Sequence, residues 1–268
     1  MKAKTIQTEL RVKRKQWITP HYIRVFLTGE DIEQFDNTTI GVNNKILIPP
    51  KGVKKIYFPT FDYEKGEWIH PQEDVRPVVR TYTHRGINLQ AKEIWIDFVA
   101  HGEEGPASAW AISAKEGDVL GVLMRDGKTE LFPLTDNYVL VGDATGIPVL
   151  AAILEQLPPN TKATCILEVH DKDDEQSLTS KADLELIWLH NDHPQKGSLL
   201  AELIQHINLP EQRRFAYVAA EYTTVKAIRN YLRSDKQWQR EELYAYSYWK
   251  AGVAEDQSTS DRRKEKEE

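Results

Sequence analysis

Arg80, Tyr82 and Thr83 stand in one short run, RPVVRTYTHR (76–85), and offer three complementary chemistries. A guanidinium presents a charged, fork-shaped set of donors suited to an anionic group. A tyrosine ring can cover a flat ring system, and a threonine hydroxyl or backbone amide can donate a hydrogen bond to it. Strand alternation puts Arg80 and Tyr82 on one face and Thr83 on the other, so a twist or a bulge has to help bring all three to one ligand. The same pattern also fits an ordinary amphipathic edge strand. Further on, DFVAHGEEGPASAWA (97–111) reads as strand, turn and helix, with Gly102 and Gly105 freeing the backbone, Pro106 suited to a first helical turn and Ser108 near the helix start. Free N–H groups there favour a phosphate-type anion. His101, at the strand end, either faces such a ligand or hydrogen-bonds the turn.

In the second half, Asp143 ends the apolar run YVLVGD (138–143), at the sheet end where parallel α/β folds bind ligands; its other reading is a cap for the helix that begins near Thr145. The single cysteine, Cys165, lies inside the apolar run ATCILEV and reads as core, which excludes a disulfide framework or a Cys-rich metal cage within one chain. His190 and His193 in HNDH lack helical metal-ligand spacing and a third ligand, so no metal site is expected.

These residues need a scaffold, and its outline is visible in the hydrophobic periods. Up to residue 133 the chain shows short, half-alternating runs: YIRVFLT (22–28), KILI (45–48), KKIYF (54–58), VVRTYT (78–83), IWIDFVA (94–100) and VLGVLM (119–124). Six short strands with one helix, PASAWAISAKEG, predict a small antiparallel β-barrel. Beyond it strand and helix alternate: YVLVGD, helix IPVLAAILEQL, TCILEVH, LIWLH, helix GSLLAELIQHI, RFAYVAAE, helix TTVKAIRNYLR and a last strand ELYAYSYW. Continuous apolar strands with intervening helices predict a parallel sheet of α/β type. Within the last strand, Tyr244 and Tyr246 are expected to pack into the sheet. The final fourteen residues hold ten charged groups and are expected to be a solvated tail. The expected division is 1–133, 134–254 and 255–268.

Composition narrows the function classes. With 268 residues, 40% hydrophobic and 28% charged, the chain can bury a sizeable core. The net charge of −6 divides unevenly: residues 1–133 carry 19 Lys+Arg against 18 Asp+Glu, and residues 134–268 carry 16 against 23. Neither half is basic enough to grip nucleic acid by its phosphates. No run approaches the roughly 18 apolar residues of a membrane span, and the charged N-terminus has no apolar stretch behind it that could make a signal peptide, so a cytoplasmic protein is expected.

A barrel followed by a parallel α/β domain resembles the flavin reductases related to ferredoxin reductase, in which an Arg-x-Tyr-Ser/Thr strand meets the flavin. Taken together, RTYT, DFVAHGEEGPASAW, YVLVGDATGIP, ILEVHDKDDEQSL, IWLH, AAEYTTVKAIRNYLR and YSYWKAGVAED resemble, in order and spacing, the siderophore-interacting protein family of FAD-dependent ferric-siderophore reductases. The resemblance covers roughly residues 5–256. It implies an N-terminal FAD-binding barrel and an NAD(P)-binding-type domain. It further implies that Arg80, Thr81, Tyr82, Thr83, Asp97, His101, Gly105, Pro106, Ala107 and Ser108 line the FAD site, with Asp143 and Thr145 close by. Lys45, Arg125 and Lys250 are the positions it suggests for holding an anionic ferric chelate. Tyr248 and Trp249 follow the last strand, where related reductases often place an aromatic near the flavin.

The implied chemistry is reduction of chelated Fe(III) to Fe(II), for which hard oxygen ligands have much lower affinity. No protein acid or base is required as a catalytic group. The implied donor is a pyridine nucleotide, although the first turn of the second domain reads GDATGIP and not GxGxxG. Family members often carry Arg directly after WLH; here Asn191 and Asp192 follow, which speaks against a preference for NADPH and leaves NADH, NADPH and a reduced ferredoxin as alternative donors. The rival readings are a general flavin or ferredoxin reductase and a non-catalytic siderophore carrier.

Overall fold

The computed structural model describes residues 5–253 apart from Tyr63 and Glu104, so the expected tail at 255–268 lies outside the described residues. The chain forms two compact units, Met1–Thr129 and Glu130–Glu268.

The first unit is built on a seven-stranded antiparallel sheet in the order β6-β3-β9-β1-β2-β8-β7. Strand β1 (Thr5–Thr19) is the longest and is missing from the strands expected above. Its sequence is rich in charge, yet Ile6, Thr8, Leu10 and Val12 are buried at a period of two, which is what a strand with one wet face requires. β2 (Tyr22–Thr28), β3 (Asn43–Ile48), β6 (Val78–Thr83), β8 (Glu93–Val99) and β9 (Val119–Arg125) match expected runs closely. Two short pieces, β4 (Thr60–Asp62) and β5 (Glu67–Ile69), pair as a separate hairpin, and β7 (Gly86–Asn88) adds to β8.

The run 54–58 is not a strand. Ile56 is buried with Leu47 and Val119, its N–H donates to Glu9 Oε2 at 2.8 Å, and the segment lies irregularly on the outer face of the sheet. Its alternating apolar residues answer to that packing, not to a ladder. The sheet curls into a half-barrel whose interior is filled by Leu10, Ile23, Val25, Ile46, Ile94, Ile96, Phe98, Leu120 and Val122. Helix α1 (Pro106–Ser113) contributes Ala107 and Ala111 to the same core.

The second unit carries a five-stranded, all-parallel sheet in the order β12-β11-β10-β13-β14. These are β10 (Asn137–Asp143), β11 (Lys162–Val169), β12 (Asp183–His190), β13 (Arg214–Glu221) and β14 (Leu243–Trp249). Helices α2 (Ile147–Gln156) and α4 (Tyr222–Asn230) follow β10 and β13, and a π-helical turn, Tyr231–Asp235, extends α4. Where a long helix is expected over GSLLAELIQHI, only Leu200–Leu203 (α3) is α-helical. Beyond it the N–H of His206 reaches only to Leu203, the tighter three-residue spacing that ends helices.

The order reverses next to β10, whose neighbours are β11 on one side and β13 on the other. Such a reversal opens a crevice at the carboxyl ends of the strands. Gly146 makes the turn there possible, since a Cβ on it would lie 2.3 Å from the carbonyl oxygen of Ala219 in β13.

Candidate functional site

In the first unit the expected residues converge on β6 and the start of α1. β6 pairs with β3 in an unbroken ladder: Ile46 opposite Arg80, Lys45 opposite Thr81, Asn44 opposite Tyr82 and Asn43 opposite Thr83. No bulge interrupts it, so the alternation stands, with Arg80 and Tyr82 on one face and Thr81 and Thr83 on the other. Tyr82 packs its ring on Phe98 of β8 at 4.6 Å between centroids, and Phe98 meets Trp110 of α1 at 5.6 Å. This aromatic row joins β6, β8 and α1. Arg80 is half-buried and donates to the carbonyl of its neighbour Val79 at 2.7 Å, while Thr83 is buried. On the opposite face the Lys45 ammonium donates to Thr81 Oγ1 at 2.5 Å, which brings one expected chelate-binding cation onto the expected cofactor strand.

The segment leading into α1 is closed by Ser108. Its hydroxyl accepts from the His101 N–H at 3.0 Å and donates to the Gly102 carbonyl at 2.7 Å, and Gly102 takes a φ of +98° that favours glycine. Ser108 is therefore turned into the loop it stabilises. The exposed His101 ring lies against Gly105, where a Cβ would sit 2.5 Å from His101 Cε1. Gly105 is the N-cap, Pro106 occupies the first turn, no acidic side chain stands in that turn, and among the described residues no side chain caps the helix. Its first amides thus remain donors for an anion. Ala107 is buried beneath them.

Asp97 is placed differently from its neighbours in the expected set. It is buried, and its two oxygens accept from Arg24 at 2.7 and 2.8 Å; Tyr22 reaches it at 3.3 Å and Arg85 at 3.7 Å. What it holds is the link between β6 and β7, through Arg85, and β2, through Arg24. Arg125 ends β9 as an exposed cation.

In the second unit, Asp143 is the last residue of β10 and is 6% exposed. Its Oδ1 accepts from the Thr145 amide at 2.8 Å and hydroxyl at 2.5 Å; its Oδ2 accepts from the Glu221 amide at 2.9 Å and the Trp249 indole at 2.7 Å. Burial pushes its carboxyl above the usual range, while the bonds from Thr145 and Trp249 pull the other way. Thr145 is thus held to Asp143 in the turn before α2.

Glu221, at the end of β13, is equally buried and caps α4 through the amides of Thr223 and Thr224. Glu168, opposite Asp143 in the ladder, accepts from Asn191, Ser198 and the Leu199 amide. Sequence reading passed over Glu168 and Glu221. The signal that could have found them is an acidic residue at or next to the end of an otherwise apolar parallel strand.

Lys250 follows β14 and stands over the Tyr222 ring at 4.6 Å. Tyr244 stacks on Tyr217 at 4.4 Å but leaves 42% of its surface exposed, so it lies on the sheet and not inside it. Cys165 is wholly buried, and burial drives its thiol far above the usual range, so it offers no thiolate. His190 pairs with Glu175 at 2.9 Å.

Comparison with known proteins matches both units. Residues 11–129 match the model of a siderophore-interacting FAD-binding domain, and residues 135–252 match that of the siderophore-interacting protein. A ferric vibriobactin reductase of Vibrio cholerae is 33% identical over 91% of this chain and 89% of its own. The solved siderophore-interacting protein SipS from Aeromonas hydrophila superposes with a TM-score of 0.82 at 28% identity, covering 98% of each chain. A ferredoxin NADP+ reductase from Neisseria gonorrhoeae shares the fold, with a TM-score of 0.57 at 15% identity over 90% of this chain and 98% of that one. The first unit's donor set suits FAD: a guanidinium and an aromatic ring on one face of β6, and uncapped amides at the start of α1 for the pyrophosphate.

Proposed function

The chain belongs to the siderophore-interacting protein family, and from that premise we propose that it reduces the Fe(III) of a ferric siderophore to Fe(II) and so releases the metal in the cytoplasm. It is a siderophore-associated FAD oxidoreductase. FAD, when bound, supplies the conversion of a two-electron input into single-electron output. The protein's own part is to bind, orient and provide charge.

Arg80 and the first amides of α1 anchor the pyrophosphate and Tyr82 covers the ring system, while Thr83, whose side chain lies on the other face of β6, serves the reactive edge through its backbone amide. Their placement is set by the ladder to β3 and by the Tyr82–Phe98–Trp110 row. Lys45, Arg125 and Lys250 hold the chelate, whose anionic oxygen ligands favour cations near the site of transfer. One electron converts Fe(III) to Fe(II), and the hard oxygen donors then bind it far less tightly. The electrons come from NADH or NADPH, and Asn191 and Asp192 offer no cation to the extra ribose phosphate of NADPH. A reduced ferredoxin is the alternative donor.

The observation that carries this reading is the bond from Lys45 to Thr81. It supports a cation suited to an anionic chelate at the border of the strand that carries Arg80 and Tyr82, on the face opposite them. The test is anaerobic spectroscopy of the purified holoprotein, adding NADH, NADPH or reduced ferredoxin and then a ferric siderophore with a ferrous trap. Bleaching of the flavin absorbance by one donor, followed by reoxidation and ferrous colour, is expected. A flavin that bleaches but never passes electrons to the chelate overturns the proposal.

A further inference from the structure

The last strand of the second unit does not simply stop; it is carried into a built turn. β14 pairs with β13 residue by residue from Ala216 opposite Leu243 to Ala220 opposite Ser247, then skips Tyr248 so that Glu221 faces Trp249. A bulge of this kind re-aims the side chain that follows it. Here it accompanies the approach of the Trp249 indole to Asp143. The chain then folds back at once: Lys250 bridges Val253, the Val253 amide donates to the Lys250 carbonyl at 3.1 Å, and Gly252 adopts the φ of +71° that such a turn asks of glycine.

Glu221 spans the same region. Its Oε2 takes the amides of Thr223 and Thr224 at the start of α4, while its Oε1 takes the Ala251 amide at 3.2 Å. Tyr222, the next residue, lays its ring under the Lys250 ammonium. Residues 249, 250 and 251 are therefore held in succession by Asp143, Tyr222 and Glu221. Two carboxylates removed from water are costly groups to place at a sheet edge, and both direct a hydrogen-bond acceptor at this exit.

We infer that Asp143 and Glu221 are positioning residues for Lys250, fixing its ammonium where an anionic ferric chelate binds and so setting affinity for the charged substrate. The inference rests on the reading of Lys250 as a chelate-binding cation. Neither carboxylate touches the chelate in this account; each acts through the backbone or indole of the 249–251 segment. An iron-free anionic chelator competes for the same cation, whereas a neutral electron acceptor has no use for it.

Glu221→Gln and Trp249→Phe separate this role from plain stability. In Glu221→Gln the amide oxygen can still cap α4, but the amide NH2 then faces the Ala251 N–H, donor against donor. Trp249→Phe removes the indole donor, with some ring volume, and keeps an aromatic side chain. Both are compared with Lys250→Ala, using holoprotein of measured flavin content, an anionic ferric chelate and a neutral quinone. The expected result is a KM for the chelate raised about three- to tenfold in each variant, the scale of one lost hydrogen bond, with kcat, flavin content and the quinone KM unchanged in Glu221→Gln. Adding Glu221→Gln to Lys250→Ala should change the chelate KM no further.

If Lys250→Ala raises the chelate KM while Glu221→Gln and Trp249→Phe match wild type, the positioning role is overturned and the chelate reading of Lys250 stands. If Lys250→Ala itself leaves the chelate KM unchanged, that reading falls and takes the inference with it. A rise in both the chelate and quinone KM, or loss of flavin, in Glu221→Gln and Trp249→Phe makes the two carboxylates structural only and also overturns it. Should Glu221→Gln fail to fold, Trp249→Phe decides.

Discussion

The indole N–H of Trp249 donates to Asp143 Oδ2 at 2.7 Å, tying the last residue of β14 to the last residue of β10 although β13 runs between them. The same oxygen takes the Glu221 amide at the end of β13. One carboxylate thereby gathers three strand ends at the edge where this class of sheet carries its ligand crevice.

Asp143→Ala leaves the Glu221 amide and the Trp249 indole without their acceptor in a buried place. Each such loss costs about 1–3 kcal/mol, so urea denaturation should show a loss on the order of 3 kcal/mol. A midpoint within error of wild type would show that water replaces the carboxylate without cost.

Arg80→Ala removes the guanidinium assigned to the FAD pyrophosphate. Charge-assisted bonds of this kind contribute about 1.5–3 kcal/mol, which corresponds to a flavin Kd about ten- to a hundredfold weaker. Gel filtration followed by absorbance of the protein peak should find flavin depleted. Full retention would remove Arg80 from the anchor.

Lys45→Ala should raise the KM for anionic ferric chelates and leave that for a small neutral acceptor alone, and added salt should weaken the wild-type preference in the same direction. Arg125→Ala is expected to act likewise, more weakly, because its side chain is exposed. An equal response of charged and neutral acceptors would place the chelate elsewhere.

His84 follows β6 directly, is fully buried, and is pushed down from 6.5 to about 4, first by burial and then by Lys128. The unfolded chain therefore binds a proton between those values that the folded chain does not. Stability should fall as pH drops from about 6.5 to about 4, by up to about 3 kcal/mol for this group. Glu93, held at about 2, chiefly by its hydrogen bond from Arg14, adds a further loss as pH falls from 4.5 toward 2. In His84→Leu the upper segment of the profile should flatten and the lower one persist. An unchanged slope between pH 6.5 and 4 in that variant would assign the loss to other groups.

The barrel strands β2, β3, β6, β8 and β9 were legible because one face of each is apolar and the other wet, so burial writes a period of two into the residues themselves. The parallel strands β10, β11 and β13 were legible for the opposite reason, since burial on both faces leaves continuous apolar runs. The motifs RTYT and HGEEGPASAW likewise lie within short stretches whose chemistry is local.

What the periods misled on was settled by packing at long range. β1 hides the buried Ile6, Thr8, Leu10 and Val12 among charges because its outer face is in water, and the apolar run 54–58 satisfies its burial against Leu47 and Val119 without a ladder. Asp97 shows the same limit within the site, since only the folded sheet brings Arg24 and Arg85 to it.

Sequence alone determined the class of each half, the family it resembles and the types of group available for a flavin and an anion, because these depend on neighbours along the chain. Tertiary structure alone decided that Lys45 meets Thr81, that Ser108 closes a loop, and that Asp143 and Glu221 grip the exit of β14. Those contacts join residues between 6 and 106 positions apart, and no local pattern encodes a partner that only the packing of strands brings within hydrogen-bond distance.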